Sequence, residues 1–390
     1  MTAADGEHPV IAASADTVNE EDPPATRTFK IDRTPPDLNP TLSEDAASIG
    51  LKETGVSASP HATDTTSGVA SSSCDSVDTS TVGPHTLSCR AKDNAGNGRT
   101  VGVAYTVKDL TPPTTRISLA PSAPNGDNGW YRSLAISVSA TDPDDAVAQT
   151  VCALDPASVP ATFDALASGS CPASVADGVH TLYAGSADSN GNKEAPPVST
   201  SFKVDTTPPD LAPTLSANPI LLNQSGVTAS PHANDATSGV ASSSCGAVDS
   251  RSLGAHTLTC TARDNAGNER TVAVGYKVEY QILGFFAPVP QSKWKVPQTV
   301  PIKIALADAN GRISDPAASA LAAACHVTFS ATGAQTASGQ CMNYDQAGHQ
   351  FVFTWKLRGG VGPATIAATV AYPGSPATTT TKSLPITITT

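Results

Sequence analysis

This chain repeats itself, and the repeat limits its fold more than any other feature. Gly55–Val107 and Gly226–Val278 are identical at 36 of 53 positions, at a fixed offset of 171 (226 − 55). A close internal copy of this length marks a structural unit used more than once. Its clearest part runs from His256 to Val278, and earlier from His85 to Val107. On the first arm Leu258, Cys260 and Ala262 point one way, and Thr257, Thr259, Thr261 and Arg263 the other. On the second arm Val272, Val274, Tyr276 and Val278 face inward, while Thr271, Ala273, Gly275 and Lys277 face outward. Strict period-two alternation predicts two strands, each with one buried face. Asp264-Asn265-Ala266-Gly267-Asn268 is then the hairpin turn, with Gly and Asn expected to supply its positive φ angles.

The rest of the chain agrees with an all-β fold. Its 32 prolines and 29 glycines interrupt any long helical period. Only 5% of residues are aromatic and 15% charged, which suits short strands joined by many turns. A net charge of −12 argues against a nucleic-acid surface. No stretch approaches the roughly 20 apolar residues of a membrane span.

Five segments follow. Asp5-Gly-Glu-His8 through Asp32 matches Asp177-Gly-Val-His180 through Asp205 with a one-residue gap, sharing Ser14-Ala-Asp16, Pro23-Pro24 and Phe29-Lys30. Residues 1–33 are therefore expected to be the C-terminal strands of a partial domain, and the chain a fragment of something longer. Residues 34–108 form one short unit, with strands expected at 56–62, 69–74, 85–92 and 100–107. Residues 109–206 form a longer unit, with strands at 116–119, 134–140, 179–184 and 198–204. Residues 207–279 are the second short copy. Thr-Pro-Pro at Thr34, Thr111 and Thr207 opens each unit as a stiff, extended linker. Residues 280–390 break the pattern, with strands at 299–307, 326–330, 350–357, 364–371 and 382–389 and a short helical stretch at 317–324.

The eight cysteines fall as four close pairs: Cys74/Cys89, Cys152/Cys171, Cys245/Cys260 and Cys325/Cys341. An even count paired within small modules reads as structural disulfides in an oxidising compartment. Zinc is the rival, but there is no Cys-x-x-Cys and no His pair at ligand spacing. The chain is thus expected outside the cell or at its surface. Its first residues, Met1 to His8, are acidic and lack the apolar core of a signal peptide.

Asp235-Ala-Thr-Ser-Gly-Val-Ala241, Gly254-Ala-His-Thr-Leu-Thr-Cys260 and Asp264-Asn-Ala-Gly-Asn268 resemble bacterial Ig-like and HYR-type repeats. The longer unit, with Asn128-Gly-Trp-Tyr131, Asp177-Gly-Val-His-Thr-Leu182 and Phe202-Lys-Val-Asp205, is similar to the Ig-like repeats of bacterial surface and secreted proteins. Gly284-Phe-Phe-Ala-Pro-Val289 and Val300-Pro-Ile-Lys-Ile304, with Cys325 and Cys341, resemble the PxKF family, although Ile304 stands where phenylalanine is usual. The resemblance implies tandem Ig-like β-sandwich domains ending in a PxKF-like β-sandwich. Such sandwiches host many roles, so it implies fold rather than function.

One constellation carries candidate chemistry. If the two turn-bearing loops of each sandwich share a pole with the incoming linker, Asp235 and Asp264 with Asn265 meet Asp205 and Asp210 there. The set recurs as Asp32, Asp37, Asp64, Asp93 and Asn94, and as Asp109, Asp142, Asp144, Asp188 and Asn190. Two readings stand. Hard oxygen ligands gathered at a domain junction suit Ca²⁺; equally, Asp and Asn make tight turns and cap backbone N–H groups. His85, His180 and His256 each begin the same strand, one per unit, and are expected to be structural. Trp130-Tyr131 and Trp294 are weighed as sugar-stacking platforms against core packing. No nucleophile–base pattern is recognisable. The expected role is non-catalytic, an extracellular spacer or adhesion stalk. The alternatives are an accessory region of a secreted hydrolase and a carbohydrate-binding module. The expected partner is an extracellular protein or glycan, with no nucleic acid, no membrane insertion, and no cofactor other than calcium.

Overall fold

The computed structural model describes residues 3–14, 25–166, 169–289, 291, 293–372 and 375–390, with the side chains of 375–377 left aside. Ala15, Asp16, Pro23 and Pro24, used above as landmarks, lie outside the described residues, as do Met1 and Thr2. Among the described residues the chain is all-β apart from one nine-residue helix, Asp315–Ala323, and two single 3-10 turns. It divides into two compact units. The first comprises Met1–Ser122, Ala135–Ser174 and His180–Ser201; the second comprises Ala123–Leu134, Val175–Val179 and Phe202–Thr390.

The first unit begins with an antiparallel pair, Gly6–Ala12 with Ala25–Ile31. Val10, Ile11 and Phe29 on it are exposed. A four-stranded sheet follows, in the order Ile49–Gly50, Gly98–Lys108, Gly83–Asp93, Val69–Cys74. Two short pairs, Asp37–Leu38 with Ala62–Thr63 and Thr41–Leu42 with Ala58–Ser59, supply a second layer. Leu42, Val56 and Ala58 pack from that side onto Ile49, Leu87, Cys89, Tyr105 and Val107. The single strand expected at 56–62 is thus two fragments. Pro60 donates no ladder bond, and His61 takes φ +39°.

Thr114–Ala120 then pairs with Ala135–Thr141, and Val147–Leu154 with Gly178–Asp188. Val151, Phe163, Leu166 and Ala187 are the core there. The strand Val147–Leu154 escaped the sequence reading because Val-Ala-Gln-Thr-Val-Cys-Ala-Leu does not alternate and its ladder carries a register shift.

The second unit repeats the short sandwich as Ile220–Leu221, Glu269–Glu279, Gly254–Asp264 and Val240–Cys245. Trp130 and Tyr131 pair in parallel with Lys203 and Val204. Two five-stranded sheets close residues 281–389. One is built on Gln298–Asp308 and Gln350–Leu357, the other on Gly362–Tyr372 between Ser375–Thr389 and Val327–Gly333. Phe329, Phe351, Ile366, Tyr372 and Met342 are almost fully buried between them.

The four disulfides join Cys74 to Cys89, Cys152 to Cys171, Cys245 to Cys260 and Cys325 to Cys341. Cys74/Cys89 and Cys245/Cys260 lie directly opposite each other on paired strands.

Candidate metal centres

The strand period carries carboxylates into the interior. Leu258, Cys260, Ala262 and Asp264 share one parity on Gly254–Asp264, and all four are buried. Leu182, Ala184, Ser186 and Asp188 do the same, as do Leu87, Cys89, Ala91 and Asp93. The last inward residue of each strand is therefore an aspartate at the end of an apolar face. A second aspartate comes from the loop before the neighbouring strand, and a third from the Pro-Pro linker.

Among the described residues three triads result: Asp32, Asp64 and Asp93; Asp109, Asp142 and Asp188; Asp205, Asp235 and Asp264. In each, one oxygen per carboxylate lies within 4.8 Å of the others. Asp93, Asp109, Asp188, Asp205 and Asp264 are each less than 5% exposed.

The oxygens divide their work in the same way each time. Each linker aspartate turns Oδ1 to a backbone N–H two residues on: Thr34 at 3.0 Å, Thr111 at 2.9 Å, Thr207 at 3.1 Å. Each loop aspartate also caps with Oδ1. Asp64 accepts from Thr66, Ser67 and Gly68, Asp142 from Asp144 and Asp145, and Asp235 from Thr237, Ser238 and Gly239. Each strand-end aspartate takes N–H bonds on Oδ1 and, on Oδ2, the side-chain amide four residues on. Those amides belong to Asn97 at 2.8 Å, Asn192 at 2.7 Å and Asn268 at 2.9 Å. The same asparagines also donate to the linker carbonyls of Asp32, Asp109 and Asp205.

The turn-capping reading holds for Oδ1 of each linker and loop aspartate, and at Asp32, Asp109 and Asp142 it leaves the second oxygen over. Asp109 Oδ2, Asp142 Oδ2 and Asp32 Oδ2 are buried without a hydrogen-bond partner, as is Ser67 Oγ beside the first triad. A buried carboxylate oxygen without a partner is costly, and three carboxylates at this spacing repel. The third triad eases this by an N–H from Ser238 to Asp205 Oδ2 at 3.2 Å. Burial, with the charges of Asp235 and Asp264, still pushes the Asp205 carboxyl above its ordinary value, against the bonds from Ser238 and Thr207. At Asp93 burial also raises the carboxyl, but the bonds from Asn97, Gly96 and Ala95 outweigh it and hold it below the usual range. The donor set is all oxygen, with no sulfur or imidazole. Hard cations such as Ca²⁺ fit it; a zinc site does not.

Several expected members lie elsewhere. Asp210 and Asp37 are exposed and pair with Arg270 at 2.7 Å and Arg99 at 2.8 Å. Where the linker reads Thr114 instead of Asp, the arginine position is Glu194, which accepts from Thr115 N at 3.1 Å. Asp144 pairs with Lys52. Asn190 bonds Asp145 at 2.8 Å, and Asn94 and Asn265 tie down the loops at 67–68 and 238–239. The sequence reading missed Asn97, Asn192 and Asn268; the thrice-repeated Asp-x-x-x-Asn spacing was the available signal. Of the turn residues only Gly267 takes positive φ, +94°; the asparagines serve by hydrogen bonding. The third triad's turn is also held from the longer segment. Arg263 pairs with Asp127 at 2.6 Å, Asn128 donates to the Asn265 carbonyl at 2.9 Å, and Asp127 N donates to the Ala266 carbonyl at 2.9 Å.

The remaining candidates are structural. His85 and His256 contact the Thr81 and Ser252 carbonyls at 2.7 Å and stack on Tyr105 and Tyr276. His180 pairs with Asp155 at 2.7 Å. Trp130, Tyr131 and Trp294 are at most 8% exposed, so none offers a flat face to a sugar.

No family model matches the chain, and no curated relative matches it. Several solved structures are similar to it. Protocadherin Gamma B2 extracellular cadherin domains 1–5 is 11% identical, covering 98% of this chain and 86% of that one at a TM-score of 0.30. A tetra-tandem repeat in the extending region of a large adhesion protein is 13% identical, covering 93% and 94% at 0.26. A Ca²⁺-stabilised adhesin with which an Antarctic bacterium binds ice is 15% identical, covering 79% and 82% at 0.24. At scores this low the likeness adds nothing to the chemistry of the triads. Among the described residues no helix is long and apolar enough to cross a membrane.

Proposed function

We propose that this chain is a non-catalytic extracellular spacer or adhesion stalk whose successive modules are tied together by calcium. The modules are residues 34–108, 109–206 and 207–279, preceded by a partial one at 1–33 and followed by a PxKF-like sandwich at 280–390. The observation that carries the reading is the triad at Asp109, Asp142 and Asp188, where two buried carboxylate oxygens have no partner. Its residues come from a linker, a loop and a strand end. A cation there would join the linker to the module that follows, and the same construction recurs at Asp32 and Asp205. The protein supplies the carboxylates, the capped turns and the Asn clamp; calcium would supply the charge that lets three carboxylates share one place. The disulfides stabilise modules whose cores are small.

Calorimetric titration of the full chain with calcium tests this, alongside melting scans with calcium and with chelator. At calcium 100-fold above Kd, stabilisation of about 2.7 kcal/mol is expected for one site. Asp142→Asn removes one binding event. No heat of binding and an unchanged melting midpoint would overturn the proposal.

A further inference from the structure

At the repeat offset of 171, Tyr280 stands where Asp109 stands after the first short copy. The fourth joint therefore has an aromatic ring in the place of the linker carboxylate, and no Thr-Pro-Pro follows it. Among the described residues no carboxylate triad gathers there.

What gathers instead is a packed interface. Tyr280 is 6% exposed and belongs to the C-terminal core, 6.5 Å from the Tyr372 ring. Leu222 packs against that core and against the core of the preceding module, so the two apolar interiors meet at one side chain. Ala309 N donates to the Leu222 carbonyl at 3.0 Å, and Asn223 donates to Asp308 at 2.9 Å. Lys277 lies over the Tyr372 ring at 5.4 Å and bonds Thr380 at 3.0 Å; Thr380 also bonds Glu279 and the Tyr372 hydroxyl. Lys277 and Glu279 pair within this cluster. Each charged side chain named there has a protein counter-charge or donor, whereas Asp109 Oδ2 and Asp142 Oδ2 have none.

We propose that the chain carries two kinds of joint. Those at Asp32, Asp109 and Asp205 dock through a bound divalent cation, and the one at Tyr280 docks without it. Removing calcium would then loosen the upstream modules and leave the C-terminal sandwich fixed to its neighbour. The contrast rests on the cation reading of the triads.

Hydrogen exchange of the full chain, read by mass spectrometry in calcium and in chelator, tests it. Chelation is expected to speed exchange around Thr34, Thr111 and Thr207, by up to about 100-fold if calcium stood at 100 times Kd. The amide of Ala309, bonded across the fourth joint, keeps its rate. Tyr280→Ala speeds exchange at Ala309 in both conditions. Lys277→Ala, which leaves the C-terminal core intact, does the same to a smaller degree. If calcium binds by calorimetry and Ala309 opens with the other three on chelation, the contrast is overturned. It is equally overturned if both variants leave Ala309 unchanged. If calcium neither binds nor alters any joint, the cation reading of the triads fails, and the contrast with it.

Discussion

Asn268 holds Asp205 by its main chain: the side-chain amide donates to the Asp205 carbonyl at 3.0 Å. The same amide reaches Asp264 Oδ2 at 2.9 Å, so one asparagine fixes a linker and a strand end together. Asn192 does this for Asp109 and Asp188, and Asn97 for Asp32 and Asp93. Replacing Asn192 by Ala leaves a buried carbonyl and a buried carboxylate oxygen short of a donor. Such losses run to about 1–3 kcal/mol each. Asn192→Ala is expected to weaken calcium affinity and to lower the first unfolding midpoint even in chelator. Asn192→Asp, which keeps the size but adds a fourth negative charge, should be worse in chelator and partly recovered by calcium. Equal midpoints for all three proteins in chelator would remove the clamp from the account.

The disulfides close loops of 15 to 19 residues in sequence separation. Cross-links of that size contribute roughly 3 kcal/mol through the unfolded chain. The core around Ile220, Leu258, Cys260, Tyr276 and Val278 is small, so the loss is a large part of the stability of that module. Cys245→Ser with Cys260→Ser is expected to unfold residues 207–279 at lower denaturant while the C-terminal sandwich keeps its own transition. A single unchanged transition for the double variant would contradict this.

How much of this was legible beforehand follows from where the signal lies. The hairpin alternation placed Leu258, Cys260 and Ala262 inward, and they are buried. Extending the same parity by one step puts Asp264 inside as well; as a turn residue it reads only as a cap or a calcium ligand, with no burial assigned. Asp205, Asp235 and Asp264 were grouped from loop position alone and do meet. Asp210 was grouped with them because it follows the same Pro-Pro, but two prolines carry it away to the exposed Arg270. The short strands Ile49–Gly50 and Ile220–Leu221 had no legible period, since two residues cannot show one. Tyr280 was invisible as a joint because its meaning appears only when it is set against Asp109 at the repeat offset.

Tyr344 offers a pH test away from the triads. Burial first, and then its bond to the Asp315 carboxylate at 2.5 Å, push its hydroxyl up to about 12. An unfolded tyrosine titrates near 10, at about the ordinary value. The folded pKa is the higher one, so the contribution is complete below pH 10 and is lost as pH rises through 12. Tyr344→Phe removes the titrating group. The stability difference between wild type and Tyr344→Phe, measured by denaturant unfolding, is expected to be constant from pH 7 to 9 and to shrink towards pH 12. Asp315 is held below its usual range by Tyr344 and then by His349. Asp315→Asn should therefore lower the pH at which the tyrosine component of absorbance rises. A pH-independent difference would show that this bond does not form.

Asp210 and Asp235 separate cation binding from plain surface charge. Both precede or enter the second short module and both carry one negative charge, but their surroundings differ. Asp235 belongs to a triad with two buried carboxylates, while the side chain of Asp210 is 85% exposed and paired with Arg270. Exposed pairs contribute little, on the order of 0–1 kcal/mol, and salt screens them. Asp210→Asn is therefore expected to leave both calcium stoichiometry and melting midpoint almost unchanged. Asp235→Asn keeps an oxygen for the turn but removes the charge facing Asp205 and Asp264. In chelator it should match or exceed wild type, because repulsion at Asp205 is relieved. In calcium it should fall below wild type, because one binding event is lost. A crossing of the two melting curves between chelator and calcium is the signature of a cation held by this triad, and parallel shifts in both conditions would mean that Asp235 acts only as a turn residue.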